Sequence, residues 1–81
     1  MINIRFFAML RERIGVDKVD YEFTDEKTVS DIKQKLIAQG EPWTLLAEQD
    51  VLIAVNQTLT SASATVNDGD EIAFFPPVTG G

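Results

Sequence analysis

The chain has 81 residues, with 13 Asp or Glu against 7 Lys or Arg and a formal net charge of −6. Nucleic acids and anionic membranes bind clustered basic side chains, so this acidic balance argues against both as partners. The chain contains neither His nor Cys, so the commonest general base and the best thiol nucleophile are missing. It also lacks a signal-like N-terminus and a long apolar stretch, and we expect a single cytoplasmic domain.

The first third of the chain predicts two strands joined through a short helix. Alternating apolar and polar residues predict a strand from Ile2 to Phe7. Helical spacing predicts a short helix or turn from Ala8 to Ile14, and alternation returns from Val19 to Phe23. We expect the two strands to form a hairpin with a wide connection, and we expect residues 25–27 to form a solvated loop.

The clearest helix follows that loop. Thr28 is a good N-cap, and Asp31, three residues later, can complete a capping box. Gly40 stands where a left-handed residue commonly follows a helix. A short helical turn is expected at Trp43–Ala47. The helix carries one apolar stripe that should face a sheet: Val29, Ile32, Leu36 and Ile37.

The second half predicts strands separated by turns. Val51–Val55 is a compact apolar run typical of a central strand, and Asn56-Gln57 indicates a turn. The Thr- and Ser-rich segment to residue 65 predicts at most a weak edge strand. Asn67–Asp70 is a strong turn signal, and Glu71–Phe75 predicts the last strand, with Ile72 and Phe74 facing inward.

This order of elements predicts an α+β fold of the β-grasp type, like ubiquitin, in residues 1–75. We expect a mixed sheet of four to five strands with one main helix packed across it. The first and last strands are both continuous and hydrophobic, so we place them side by side in the sheet centre. Residues 76–81 are predicted to form a flexible C-terminal tail.

The tail carries the chemistry that the rest of the chain lacks. Pro76-Pro77 cannot extend a sheet and favours an extended chain, and six such residues reach on the order of 20 Å. Gly80-Gly81 has no side chains and can pass through a narrow channel. A free carboxylate is a poor electrophile and needs activation, for which an acyl-adenylate made by an ATP-dependent partner is the plausible route. We therefore predict the terminal carboxylate as the working group.

Three segments resemble a known family: residues 68–81 (Asp-Gly-Asp-Glu-Ile-Ala-Phe-Phe-Pro-Pro-Val-Thr-Gly-Gly), 54–57 (Ala-Val-Asn-Gln) and 4–12. They closely resemble the small subunit of molybdopterin synthase, the MoaD family of sulfur carriers. The resemblance implies that a ubiquitin-activating-like enzyme adenylates Gly81 with MgATP. A sulfurtransferase or cysteine desulfurase then converts it to a thiocarboxylate, and the carrier itself binds no cofactor.

The resemblance also implies how the sulfur is delivered. The carrier docks with the large synthase subunit, usually as a heterotetramer around a large-subunit dimer, and that subunit holds the catalytic residues. The tail, made of Pro76, Pro77, Val78, Thr79, Gly80 and Gly81, enters its active site. There it gives sulfur to cyclic pyranopterin monophosphate, and two transfers form the molybdopterin dithiolene.

Strand parity suggests a docking surface at the base of the tail. Phe7 and Phe75 are out of phase with the inward residues of their strands, so neighbouring strands would bring both rings to one exposed patch. Leu59 is an isolated apolar residue that could join them. Arg11 is a weaker candidate for pairing with acidic groups of a partner.

The sequence leaves other functions open. The chain could be a sulfur carrier for thiamine synthesis, a ubiquitin-like modifier that forms isopeptide bonds, or an interaction module with an inert tail. Asp68, Asp70 and Glu71 match no calcium-loop spacing, and we expect no metal site there.

Overall fold

A computed structural model describes residues 1–47 and 51–76 of the chain. Within these residues it contains five strands, two α-helices and one 3₁₀ helix. In chain order they are β1 (Ile2–Phe6), α1 (Ala8–Ile14), β2 (Lys18–Tyr21), α2 (Val29–Ile37), the 3₁₀ helix (Trp43–Ala47), β3 (Leu52–Val55), β4 (Thr58–Thr60) and β5 (Glu71–Phe75).

The strands form one mixed sheet in the order β2-β1-β5-β3-β4. β1 and β5 are parallel, with Ile4 opposite Ile72, and the other neighbouring pairs are antiparallel. The prediction that the first and last strands lie side by side is therefore confirmed, and β5 occupies the centre. With α2 packed against one face, this is the predicted β-grasp architecture.

The hydrophobic core lies between that face and the helices. The ring of Phe6 stacks on that of Phe74 with centroids 5.9 Å apart, and Trp43 of the 3₁₀ helix lies 5.8 Å from Phe6. The side chains of α2 that enter the core are Val29, Ile32 and Leu36. Burying each of these apolar side chains contributes about 1.5–3 kcal/mol, and this burial fixes the helix against the sheet.

The predicted capping box of α2 is present. The Thr28 hydroxyl accepts a hydrogen bond from the backbone N–H of Asp31 at 3.3 Å, and the Asp31 carboxylate accepts one from the Thr28 N–H at 3.0 Å. Gly40 adopts a left-handed φ of 87°, as its position after the helix predicted. The helix thus begins and ends with the chemistry that its sequence encodes.

Four strand boundaries differ from the prediction, one of them being the start of β2 at Lys18, one residue before the predicted Val19. The first strand ends at Phe6, and the third begins at Leu52. The second strand ends at Tyr21 and does not continue to Phe23. Tyr21 pairs with Ile2, the first residue of β1, so any further residue of β2 would have no strand partner.

The prediction that residues 25–27 form a solvated loop is wrong for Glu26, whose side chain is only 1% exposed. The carboxylate accepts hydrogen bonds from the hydroxyl of Tyr21 and from the N–H and hydroxyl of Thr24, at 2.9 to 3.0 Å. Lys35 Nζ of α2 lies 3.5 Å away. Because these donors satisfy both of its oxygens, the carboxylate is buried without being left unpaired.

No helix in residues 1–47 and 51–76 is long and apolar enough to cross a membrane.

Candidate functional site

The tail begins at the end of the central strand. Pro76 follows Phe75 directly and is half-buried. β5 lies between β1 and β3, so Pro76 lies at the end of the central strand of the sheet. The predicted working residues Pro77, Val78, Thr79, Gly80 and Gly81 lie outside the described residues, and their roles stay predictions.

The two aromatic residues predicted for docking, Phe7 and Phe75, lie at the ends of the neighbouring strands β1 and β5. The N–H of Phe7 donates to the carbonyl of Phe74 at 3.1 Å, which extends the β1–β5 ladder by one residue. Phe7 has an extended backbone and also serves as the N-cap of α1. Its side chain is 43% exposed, whereas Phe75 is half-buried. Both therefore lie at the base of the tail, and their interface role remains a prediction.

Leu59 belongs to the same side of the sheet. It lies opposite Ala54, which in turn lies opposite Ala73 of β5. Because side chains alternate along a strand, these residues face away from the core, and Leu59 is 65% exposed. We call this side the open face and define it by seven residues: Arg5, Phe7, Leu52, Ala54, Leu59, Ala73 and Phe75.

Arg5 is a member of the open face that the sequence analysis did not single out. Its guanidinium carbon lies 5.9 Å from the centroid of the Phe7 ring, within the range of a cation–π contact. Nη1 of Arg5 also lies 3.9 Å from Oε2 of Glu71. Arg5 precedes Phe7 by two residues, and this same-face spacing was the signal that could have found it.

Arg11 lies away from the sheet, exposed on α1. It lines an open cleft of about 600 Å³ together with Glu12, Gly15, Val16, Asp17 and Lys18. Acidic and basic side chains are balanced in this cleft, so a preference for an acidic partner there stays a prediction.

Two of the sequence segments quoted above meet at the start of β5. Asn56 Nδ2 donates to Asp70 Oδ1 at 3.1 Å, and Asn56 Oδ1 accepts the N–H of Glu71 at 3.0 Å. The backbone N–H of Asn56 donates to the Glu71 carbonyl at 2.8 Å. Asn56 has a φ of 50°, a left-handed conformation that Asn tolerates well. These contacts, which we call the Asn56 clasp, fix the start of the strand that leads into the tail.

The acidic turn before β5 is organised by hydrogen bonds. The second carboxylate oxygen of Asp70 accepts the N–H of Asn67 at 2.8 Å, and Asp68 pairs with the N-terminal amine. Among residues 1–47 and 51–76, no group of three or more acidic side chains could hold a metal ion. The turn therefore has a structural role in the described part of the chain.

The largest shifts in side-chain pKa lie on the helix side, around Glu26. Burial raises the pKa of Glu26, but the hydrogen bonds from backbone N–H groups, Thr24 and Tyr21 outweigh burial and lower that pKa to about 2. Burial and the hydrogen bond to Glu26 raise the pKa of Tyr21 to about 12. The Tyr21 hydroxyl donates a hydrogen bond to the Glu26 carboxylate at 2.9 Å, so we assign these two side chains a role in the stability of the fold.

Comparison with known proteins decides the family. The ThiS family model matches residues 4–81. Two molybdopterin synthase sulfur carrier subunits, from Haemophilus influenzae and Escherichia coli K12, are each 48% identical to this chain over the full length of both proteins. The chain belongs to the ThiS family, in the group of molybdopterin synthase sulfur carrier subunits. A further relative of this ThiS family member, the small archaeal modifier protein 3 of Haloferax volcanii, is 31% identical, with 99% of this chain and 98% of that protein covered.

Solved structures support the same fold. In a complex of subunits 1 and 2 of the molybdopterin-converting factor from Helicobacter pylori, one chain is 25% identical to this ThiS family member. The TM-score is 0.65, and 99% of this chain and 97% of that chain are covered. The crystal structure of SAMP1 from Haloferax volcanii gives a TM-score of 0.77 at 24% identity, covering 99% and 98% of the two chains. The β-grasp fold predicted from the sequence is confirmed.

Proposed function

We propose that this chain is the sulfur carrier subunit of a molybdopterin synthase and that it carries sulfur as a thiocarboxylate on Gly81. The observation that supports the proposal most strongly is the 48% identity, over the whole chain, to two subunits of that name. The geometry agrees with it, since β5 runs from the sheet centre directly into the segment that ends in Gly80-Gly81.

The chemistry of the carrier is confined to its last carboxylate. On a ubiquitin-activating-like enzyme, this carboxylate attacks MgATP. The attack forms the acyl-adenylate and releases pyrophosphate. The outer sulfur of a persulfide on a sulfurtransferase or cysteine desulfurase then displaces AMP and forms an acyl disulfide, and a thiol reductant cleaves its S–S bond to leave the thiocarboxylate. The carrier contributes the reactive carboxylate, and the absence of side chains at Gly80-Gly81 lets catalytic groups come close to it. Its partners contribute the nucleotide site and the catalytic side chains, and we place all of these steps in the cytoplasm.

The large subunit of the synthase is the proposed acceptor. The open face, with Phe7, Phe75 and Leu59, lies against it and directs the tail into its active site. There the thiocarboxylate gives sulfur to cyclic pyranopterin monophosphate and Gly81 returns to a carboxylate. Two such transfers complete the dithiolene, and a heterotetramer holds two carriers on one large-subunit dimer. The Helicobacter pylori neighbour, a complex of two converting-factor subunits, supports a partner of this kind.

Intact-mass spectrometry tests the sulfur-carrying step. Incubation with the activating enzyme, ATP and a sulfur source should raise the mass by one O-to-S exchange, and fragmentation should locate the sulfur at Gly81. Deletion of Gly81, or addition of one residue after it, should abolish the exchange while leaving the fold intact, because the reacting carboxylate is displaced. An unchanged mass of the wild-type chain, with a demonstrably active enzyme, would sink the proposal.

Two related functions need separate tests. The likeness to a small archaeal modifier protein favours a second candidate, a modifier that forms isopeptide bonds with lysines. Covalent conjugates carrying the Gly81 end in cell lysates would establish that activity, and a pure carrier leaves none. Complementation of a strain defective in molybdenum cofactor synthesis, compared with a thiamine auxotroph, separates the proposed cargo from thiamine sulfur.

A further inference from the structure

We propose that the outer edge of β2 (Lys18–Tyr21) pairs with the same edge of a second copy of the chain, so that two copies share one continuous sheet. The inference concerns contacts between copies of this chain and does not depend on the sulfur-carrying function. β1 separates β2 from β5, so the pairing leaves the strand that precedes the tail unchanged.

The backbone of β2 presents unpaired groups on its outer side. β2 forms one edge of the described sheet, with β1 on its inner side. The N–H of Phe6 donates to the carbonyl of Asp17 at 3.0 Å. Hydrogen-bonded pairs alternate with non-bonded pairs along an antiparallel ladder, so Val19 bonds to β1 and the backbone groups of Lys18 and Asp20 point outward. Such outward groups are a template for a further strand.

Nothing in the described part of the chain covers this edge by hydrogen bonding. Among the described residues, none of the backbone hydrogen bonds made outside the helices and strands uses the N–H or carbonyl of Lys18 or Asp20. Both residues are exposed. The edge is therefore open to a strand from another molecule.

The side chains on the edge carry opposite charges two residues apart. Lys18 and Asp20 lie on the same side of the sheet, because side chains alternate along a strand. Lys18 lies opposite Arg5 of β1, and like charges in that relation repel each other, whereas Asp20 lies opposite the uncharged Asn3. A carboxylate that approaches Lys18 from the free side offsets this repulsion.

Charge selects one register for a pairing of two identical edges. The outward backbone groups allow the twofold axis to pass at Lys18, at Val19 or at Asp20. An axis at Lys18 or at Asp20 sets two like charges directly opposite each other, which destabilises the pair. An axis at Val19 places Lys18 of each copy opposite Asp20 of the other, and the two residues also exchange backbone hydrogen bonds in both directions. The edge is self-complementary in this register alone.

The size of the contact sets its strength. β2 has four residues, and each chain carries a formal net charge of −6, so the two copies repel each other at a distance. We therefore expect a reversible dimer with a dissociation constant on the order of 100 μM.

Exchanging the charges tests both the contact and its register. Lys18→Asp and Asp20→Lys each place like charges across the axis, so either variant alone should lose at least tenfold in self-affinity. An equimolar mixture of the two variants restores opposite charges at both positions and should dimerise like the wild type. The matched control is Lys27→Asp, which makes the same change of charge at an exposed residue outside β2. Thermal unfolding checks that each variant is folded.

Sedimentation equilibrium up to about 1 mM chain gives the readout. A wild-type chain that stays monomeric at this concentration overturns the proposal. So does a Lys18→Asp variant that dimerises as well as the wild type, or a mixture of the two variants that stays monomeric, because the contact would then lie elsewhere.

Amide hydrogen exchange of the wild type provides a second test that needs no variant. The N–H groups of Lys18 and Asp20 should exchange more slowly as the concentration of the chain rises, while those of β4 at the opposite edge should not change. Exchange that slows at β4 and not at β2 would place the contact at the other edge and contradict the proposal.

Discussion

Asn56 fixes the start of β5, the strand that precedes the tail, through hydrogen bonds to Asp70 and Glu71. It is far from Gly81 in the chain, yet its side chain and backbone hold the start of the strand that leads there. Residues 54–57 and 68–71, which both resemble sulfur carriers, are hydrogen-bonded to each other and therefore form one structural unit.

Replacing Asn56 should destabilise the fold without touching the reactive end. Asn56→Ala removes two side-chain hydrogen bonds and places Ala at a left-handed φ, so we expect the free energy of unfolding to fall by about 2–3 kcal/mol. Asn56→Gly, which tolerates that φ, should lose less. Chemical denaturation measures both, and an alanine variant as stable as the wild type would contradict the role of the Asn56 clasp.

Phe7 should matter for docking and little for stability. Its ring is 43% exposed, so Phe7→Ala should change the free energy of unfolding by less than about 1 kcal/mol. If the ring is an interface anchor, affinity for the large subunit should fall by about 2 kcal/mol. Titration calorimetry together with thermal unfolding separates the two effects, and a variant with wild-type affinity would remove Phe7 from the interface.

Some of these residues could be found in the sequence and others could not. Strand parity placed Phe7 and Phe75 correctly at neighbouring strand ends, because alternation is a local property. The burial of Glu26 depends on Tyr21 and on Lys35, which approach it only after β2 and α2 have packed. A charged run with no apolar neighbours gives no local signal of such a site.

At the scale of elements, α2 was predicted well because its signals are all local. The capping box lies within four residues, and the apolar stripe follows directly from helical spacing. The end of β2 was predicted poorly because it depends on where β1 begins, which is a fact about a different strand.

The cap of α2 gives a direct stability prediction. Thr28→Ala removes the acceptor for the Asp31 N–H and should lower the free energy of unfolding by about 1 kcal/mol. Thr28→Ser keeps a hydroxyl and should lose much less. Parallel denaturation curves test this, and equal losses in the two variants would mean that the hydroxyl does not act as the cap.

Glu26 joins β2 to α2 and should make stability depend on pH. Its pKa is about 2 in the folded chain against an ordinary value of 4.5, so the carboxylate stabilises the fold above pH 4.5. This contribution is lost as the pH falls from 4.5 towards 2, where the folded state also takes up the proton.

The matched variant for this prediction is Glu26→Gln. It keeps the shape but not the charge, so it should be less stable than the wild type at neutral pH and its stability should fall less between pH 4.5 and 2. Thermal unfolding across that range provides the measurement. Identical pH profiles of the two proteins would show that Glu26 is not the group responsible.

At the scale of the whole molecule, the β-grasp fold puts the tail-bearing strand in the sheet centre and leaves one face open beside it. The hydrophobic character of the first and last strands predicted that they lie side by side at the sheet centre, and β5 does lie there, between β1 and β3. The pairing of Ala54 with Ala73 across β3 and β5 could not be predicted in the same way. It requires knowing which strands lie next to one another, and lateral order comes from the packed sheet.

The central claim is that Gly81 carries sulfur to a molybdopterin precursor. The most direct measurement follows the intact mass of thiocarboxylated carrier mixed with the large subunit and cyclic pyranopterin monophosphate. We predict that the mass returns to that of the carboxylate form only when both are present, in step with formation of the dithiolene. A carrier that keeps its sulfur under these conditions, or that becomes joined to lysines of other proteins, would contradict the account.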